Sequence, residues 1–328
     1  MRALVTGATG FIGSHLVDAL LERGIEVRCI VRRSSNRRWL TGKPVELVEA
    51  SLDAPDTLPR ALQGVDIVFH IAGVIAARTF QEFLWGNRDA TANLLHATLR
   101  FAPNVKRFLF LSSLAAVGPA PSLSEPVTED TPYHPITAYG RSKQAAEEVV
   151  LAARTELPIT IVRPPAVYGP RDAATLPFFR AIRYGLAPII GLREKYLSLV
   201  HVRDLVEGIL LAAFAEAAIG RVYFISSEEF YTWYQLSEIA RVALGRRRIL
   251  RLRIPHAVVM GVASIAEVSG WLLSRPPVFD FEKGRDLLQP YWICSTERAR
   301  RELGYRQQVG LAEGMHETVA WYRAQGWL

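Results

Sequence analysis

The chain has only two cysteines in 328 residues, Cys29 and Cys294, and they lie in unrelated segments. That excludes a disulfide framework and any cysteine-based metal site, so no metal is expected, and it suits a reducing, cytoplasmic compartment. Dense charge runs are missing too. The net charge of +7 comes from 39 basic and 32 acidic residues, and the arginine runs (Arg32-Arg33, Arg37-Arg38, Arg246-Arg247-Arg248) stay short. A nucleic-acid face needs a basic stripe interleaved with aromatics, which argues against nucleic acid as a partner. The chain opens directly on "RALVTGATG" (2–10), without a basic-then-apolar leader. Neither repeats nor low-complexity segments occur. One long apolar stretch stands out, residues 254–273, "IPHAVVMGVASIAEVSGWLL", interrupted by Glu267 and flanked by Arg253 and Arg275. It is borderline for a bilayer span. Its first reading is a buried or substrate-covering helix, its second a peripheral membrane contact.

What is present has an ordinary globular composition, 50% hydrophobic and 22% charged. Short apolar runs alternate with stretches of helical spacing. Strands are expected at 3–5, 26–31, 45–50, 65–73, 105–113 and along "PITIVRPPAVYG" (158–169), with helices at 14–24, 81–100 and 138–155. Strands that are apolar on both faces argue for a parallel sheet covered on both sides. The expected fold is α/β, a doubly wound parallel sheet over residues 1–170, with a smaller C-terminal lobe over 171–328 whose segments partly return to the sheet.

"TGATGFIG" carries Gly7, Gly10 and Gly13 between a strand and a helix. Glycine allows the tight turn, and the helix N-terminus offers free N–H groups to a pyrophosphate. A dinucleotide is therefore expected against Gly7, Thr9, Gly10, Phe11, Ile12 and Gly13. The second strand ends at Val31 with no carboxylate for a ribose 2′-hydroxyl; Arg32 and Arg33 follow. A guanidinium can grip a 2′-phosphate bidentately, which favours NADP(H) over NAD(H); solvated loop arginines are the alternative. "YGRSK" places Tyr139 and Lys143 four apart, on one helical face. A phenol with a pKa of about 10 is a poor acid at neutral pH. A lysine charge roughly 5 Å away would favour the phenolate by about 3 kcal/mol at an effective dielectric of about 20.

Taken in order, Gly7/Gly10/Gly13, "HIAG" (70–73), "NRDATANLL" (87–95), "FLSSLAAVG" (110–118), "YGRSK" (139–143), "RPPAVYGP" (163–170) and "VHVRDLVEGI" (200–209) resemble the extended short-chain dehydrogenase/reductase superfamily, its epimerase/dehydratase-like branch. The resemblance implies a Rossmann domain with a C-terminal substrate lobe. It implies Ser113 as ligand of the substrate oxygen, Tyr139 as proton donor and acceptor, and Lys143 on the nicotinamide ribose. Ala72 and Gly73 would lie along the cofactor, Asn87 would link to the lysine, and Leu52, Pro164 and Val167 would complete the cofactor cleft. It further implies a homodimer through the Tyr139 helix and the 82–100 helix. Members of the family often place an acid for the adenine after the third strand; here Ser51 falls there, with Asp53 two residues on.

Sugar-nucleotide members often carry asparagine in the "RPPAVYGP" segment, where this chain has Ala166. Pro164-Pro165 instead resembles the hydroxysteroid-dehydrogenase and dihydroflavonol-reductase-like members. Prolines cannot donate to a ladder, so the strand tip must leave the sheet. Val74, Ala166 and Tyr168 are then expected to line a crevice for an apolar substrate. The leading expectation is an NADP(H)-dependent oxidoreductase interconverting a ketone and a secondary alcohol on a sterol-, flavonoid- or lipid-like molecule. The alternatives are a nucleotide-sugar epimerase or dehydratase with bound NAD, and a non-catalytic cofactor-binding or redox-sensing protein.

Overall fold

A computed structural model describes residues 1–261 and 281–328. Seven strands form the main sheet: β1 (Arg2–Thr6), β2 (Glu26–Val31), β3 (Val45–Glu49), β4 (Ile67–His70), β5 (Arg107–Leu111), β6 (Ile159–Arg163) and β10 (Arg221–Phe224). Their order is β10-β6-β5-β4-β1-β2-β3, and every pairing is parallel. The order reverses between β1 and β4, so a crevice opens at the carboxyl ends of these two strands.

The strands are apolar throughout because alternate residues enter different helical layers. Ala3 and Val5 of β1 pack with α1 (Phe11–Glu22) and α7 (Val202–Phe214), whereas Leu4 between them packs with α4 (Ala90–Phe101) and α5 (Ala138–Ala152). Phe108 and Phe110 of β5 join the α4/α5 layer, and Leu109 and Leu111 the α1/α7 layer. Helix α1 stops at Gly24, whose φ of +69° lets its N–H reach Leu21 O while Ile25 N–H reaches Leu20 O.

Two expected elements are broken. The helix over 81–100 divides into α3 (Phe80–Leu84), a π-turn at Trp85–Asp89 and α4. The strand over 158–169 ends at Arg163. Pro164 and Pro165 carry the chain out of the sheet, and β7 (Ala166–Tyr168) begins a second one. The Pro164 carbonyl still accepts from Leu114 N–H at 2.8 Å; the missing proline donors are what end the ladder.

The second sheet joins β7, β9 (Tyr196–His201), β11 (Phe230–Thr232) and β13 (Tyr291–Trp292), with β9 pairing all three others. A separate two-stranded ribbon pairs β8 (Leu186–Ile190) with β12 (Leu250–Ile254). Around them lie α6 (Leu176–Arg183), α8 (Trp233–Ala243) and α11 (Leu311–Ala324), which share a core that includes Phe179, Tyr231, Leu236 and Tyr322. A short helix α2 (Pro59–Leu62) precedes β4, and α9 (Phe281–Leu288) and α10 (Glu297–Leu303) lie before α11. Residues 262–273 of the long apolar stretch lie outside the described residues. Among the described residues, no helix is long and apolar enough to cross a membrane.

Candidate active site

The glycine turn follows β1. A Cβ on Gly7 would stand 2.8 Å from Ala72 N, and one on Gly13 would stand 2.2 Å from Gly7 O. These positions accept only hydrogen. Helix α1 is capped by Gly10 without a side-chain bond, and its first turn holds no acid. The first intrahelical bond is Ser14 N to Gly10 O, so the N–H groups of Phe11, Ile12 and Gly13 point out of the helix end. This cradle fits a dinucleotide pyrophosphate. Thr9 lies in the same turn, and Phe11 and Ile12 are half-buried at the helix start.

Arg32 and Arg33 follow β2 and are exposed. They differ in their partners. Arg33 Nε donates to Glu49 Oε1 at 3.0 Å, and Glu49 stands opposite Val31 in the parallel register. The neighbouring strand thus supplies the carboxylate that β2 lacks. Arg32 Nε and its guanidinium have no ion pair among the described residues. Beyond β3, the Leu52 carbonyl accepts from Asn93 Nδ2 at 2.8 Å, and Ser51 and Asp53 bond to each other. Asp53 faces a cavity of about 560 Å³ together with Val74, Glu82, Trp85, Asp89 and Asn93.

Strand β4 ends at His70, and a chain of hydrogen bonds organises the loop beyond it. Ala72 N–H donates to Thr6 Oγ1 at 3.1 Å, and Thr6 Oγ1 lies 2.8 Å from His70 Nδ1. On the other side, His70 Nε2 lies 2.9 Å from Thr91 Oγ1, which donates to Asn87 O at 2.6 Å. Each hydroxyl has one proton, so Thr6 donates to Nδ1 and His70 donates from Nε2. Burial, aided by the Lys143 charge, pushes His70 down to about 3, so it stays neutral. Asn87 clamps the loop at Val74: Val74 N–H donates to Oδ1 at 2.8 Å and Nδ2 donates to Val74 O at 2.9 Å. The π-turn puts Asn87 there, and its Nδ2 also donates to Ser142 Oγ at 2.8 Å. Asn87 is therefore linked to α5 through Ser142, beside Lys143. A Cβ on Gly73 would sit between Asn87 Oδ1 (3.1 Å) and Lys143 Nζ (3.8 Å).

Ser113 caps a 3₁₀ turn, its Oγ accepting from Ala115 N–H at 3.1 Å. Helix α5 packs on this turn at Gly140, where a Cβ would meet Ala115 O at 2.3 Å. The close approach brings Tyr139 to Ser113. Thr137 caps α5 by accepting from Gly140 N–H, and Glu282 of α9 accepts from Ala138 N–H. Burial raises the Tyr139 phenol, a hydrogen bond from Ser113 opposes the rise, and the Asp286 charge adds to it. Lys143 is buried, and its Nζ donates to Leu111 O at 2.7 Å. Burial pushes it down to about 7, against the pull of Glu147. The expected electrostatic hold of Lys143 on Tyr139 is thus not what this arrangement gives. The lysine is turned to the end of β5, and the group that favours the phenolate is Ser113.

Beneath the site lies a buried cluster that the sequence did not announce. Glu147, fully buried and one turn beyond Lys143, accepts from Arg163 Nε at 2.9 Å, from Arg163 Nη2 at 2.6 Å and from Tyr133 Oη at 2.6 Å. The i, i+4 spacing of Lys143 and Glu147 was the available signal.

At the strand tip Pro164 and Pro165 are buried, Val167 is half-buried and Ala166 is exposed. Tyr168 is a correction. Its ring packs edge-on against His201 at 5.2 Å within the C-terminal lobe core, and its hydroxyl leaves no room for a Cβ at Gly314. Helix α11 covers that side of β7, so Tyr168 is a core residue and not part of the crevice. Val74 lines the cavity beside the π-turn, and Ala166 is not among the residues lining it.

A glycine cradle at a parallel-sheet switch point, with Ser113, Tyr139 and Lys143 gathered beside it, defines a nicotinamide-dependent enzyme of the short-chain dehydrogenase type. Residues 3–226 match the NAD dependent epimerase/dehydratase family, and the chain belongs to it. It is an NAD(P)-dependent oxidoreductase of the extended short-chain dehydrogenase/reductase type. It is 34% identical to ceramide reductase of Caulobacter vibrioides over 327 residues, 99% of this chain and 95% of that one. It is 32% identical to sterol demethylase protein B of Methylococcus capsulatus over 333 residues, 99% of each chain. The solved UDP-glucose 4-epimerase of Thermotoga maritima superposes with a TM-score of 0.81 at 26% identity, covering 99% of both chains.

Proposed function

We propose that this protein interconverts a ketone and a secondary alcohol on a largely apolar small molecule, using NADP(H). The reading rests on the meeting of Ser113, Tyr139 and Lys143 beside the glycine cradle. Ser113 binds the substrate oxygen, and Tyr139 gives it a proton in reduction or takes one in oxidation. The nicotinamide, when bound, supplies or accepts the hydride. Lys143 exchanges its bond with Leu111 O for the ribose hydroxyls and there lends its charge to the phenol. Residues 1–170 hold the cofactor and 171–328 most of the substrate.

Arg32 supports NADP(H), because among the described residues its guanidinium has no ion pair, at the strand end where a 2′-phosphate would lie; Arg33, held by Glu49, contributes less. Ala166 at the crevice supports an apolar substrate, as do relatives named for ceramide and sterol chemistry. Exposed Phe80 and Trp85, on α3 and the π-turn, support a homodimer through this face and α5.

The test is turnover of NADPH with a panel of apolar ketones and nucleotide-sugars, by the native chain and by Tyr139→Phe. That substitution keeps the ring and removes the proton, so turnover falls at least about 100-fold with cofactor affinity nearly unchanged. Near-normal turnover in the variant, or conversion of a nucleotide-sugar with no activity on any ketone or alcohol, overturns the reading.

A further inference from the structure

The outer face of the β8–β12 ribbon is apolar where a solvent-facing strand should be polar. The register sets Leu186 against Leu250, Pro188 against Leu252 and Ile190 against Ile254. The intervening Ala187 and Ile189 are buried against the lobe, so these three pairs share the outward face. Leu186, Leu250 and Leu252 are 43%, 58% and 44% exposed, and at the ribbon's ends Tyr184 and Leu192 reach 76% and 69%. Scattered exposed leucines are ordinary, but a contiguous apolar face marks a contact surface.

Its charge is one-sided. Segments 183–195 and 245–258 hold Arg183, Arg193, Arg246-Arg247-Arg248 and Arg253 around this face, with Glu194 their only acid. All six arginines are exposed, and none is ion-paired among the described residues. The remaining one, Arg251, turns inward to Glu238 and lies 4.2 Å from the ring of Tyr234. Arg246 donates to the Arg183 carbonyl and Arg253 to the Leu192 carbonyl, so these two are held in place without losing their charge. Leucines ringed by arginines that lack a carboxylate partner match the two layers of a membrane surface, acyl chains and anionic headgroups. A second copy of the chain would bring arginines against arginines.

We propose that the β8–β12 ribbon is a docking surface for an anionic lipid bilayer. A chain of hydrogen bonds links the segment after the ribbon to the helix of Tyr139. Lys195, just beyond β8, donates to Leu287 O of α9 at 2.6 Å, and α9 carries Glu282 to the N-terminus of α5, the helix of Tyr139. The surface stands on its own geometry and not on the catalytic reading, and it is measured without turnover.

The full chain is sedimented with vesicles of phosphatidylcholine alone or with about a third phosphatidylglycerol, at low and high salt. The anionic vesicles bind it, and salt weakens the binding. Replacing Arg246, Arg247 and Arg248 together by glutamate lowers partition at least about a hundredfold, since each basic residue near such a surface contributes about a factor of five. Leu250→Ser with Leu252→Ser lowers it at least about tenfold. Both variants melt like the parent. Both native cysteines are buried, so Leu252→Cys carries an environment-sensitive dye at one site; its emission shifts blue on anionic vesicles. The proposal is overturned if the intact chain stays in the supernatant at low salt. It is equally overturned if both variants bind undiminished, if the dye stays in water on bound protein, or if light scattering shows the leucine variant only dissolving a dimer.

Discussion

Substituting Glu147 by glutamine removes one charge and changes almost nothing in shape. In the native protein this carboxylate takes three bonds from Arg163 and one from the half-buried Tyr133, and Arg163 and Glu147 are both out of water. Arg163 already has its Nη1 without a partner among the described residues, so the guanidinium depends on Glu147 for its compensation. Removing one member of a buried pair costs about 3–5 kcal/mol, because the survivor remains charged and buried. At about 2 °C per kcal/mol for a large chain, Tm falls by roughly 6–10 °C in calorimetry. The companion variant, Glu147→Gln with Arg163→Met, removes both charges and recovers at least half of the loss, since desolvation is then no longer borne by a lone cation. A single variant within about 1 °C of the parent would refute the reasoning. So would a double variant whose loss equals the sum of the two single losses, for the pair would then carry no coupling.

Lys143 has a folded-state pKa lowered to about 7 from 10.5, so the unfolded chain binds the extra proton between those values. Stability contributed by this group therefore rises with pH across that window, by up to about 1.4 kcal/mol per pH unit. Urea unfolding of the free protein at pH 7.5 and 9.5 should show a rise that Lys143→Met lacks, by about 2–3 kcal/mol; equal slopes for the two proteins would contradict the buried, mostly neutral lysine. Arg32→Asp should weaken NADPH relative to NADH by about 10- to 100-fold in paired titrations, the scale of a charge-assisted bond, and tighter NADH binding by the unmodified chain would remove the basis for NADP(H). Ala166→Asn should lower kcat/KM for an apolar ketone by about 5- to 100-fold, because an amide buried against it lacks a partner, and an unchanged value would take Ala166 out of the crevice.

Features whose physics is local are legible in the residues themselves. Gly7 and Gly13 are needed because a Cβ there meets backbone within the same turn and its neighbouring strand tip, and Gly10 eases the tight contact with the Gly7 carbonyl. The apolar strands announce a sheet covered on both faces, and Pro164-Pro165 announces where one of them must leave it. Tyr139 and Lys143 share a helical face by their spacing alone. Other features arise only on folding, because partners distant in the chain cannot be read from spacing. Glu49 reaches Arg33 only because β3 lies beside β2. Asn87 meets Val74 only through a π-turn that no periodicity signals. Tyr168 is drawn into the core because α11, some 150 residues on, covers that side of β7. Lys143 meets the Leu111 carbonyl only because the end of β5 lies against α5, and which acceptor reaches a buried amine is a property of the folded chain.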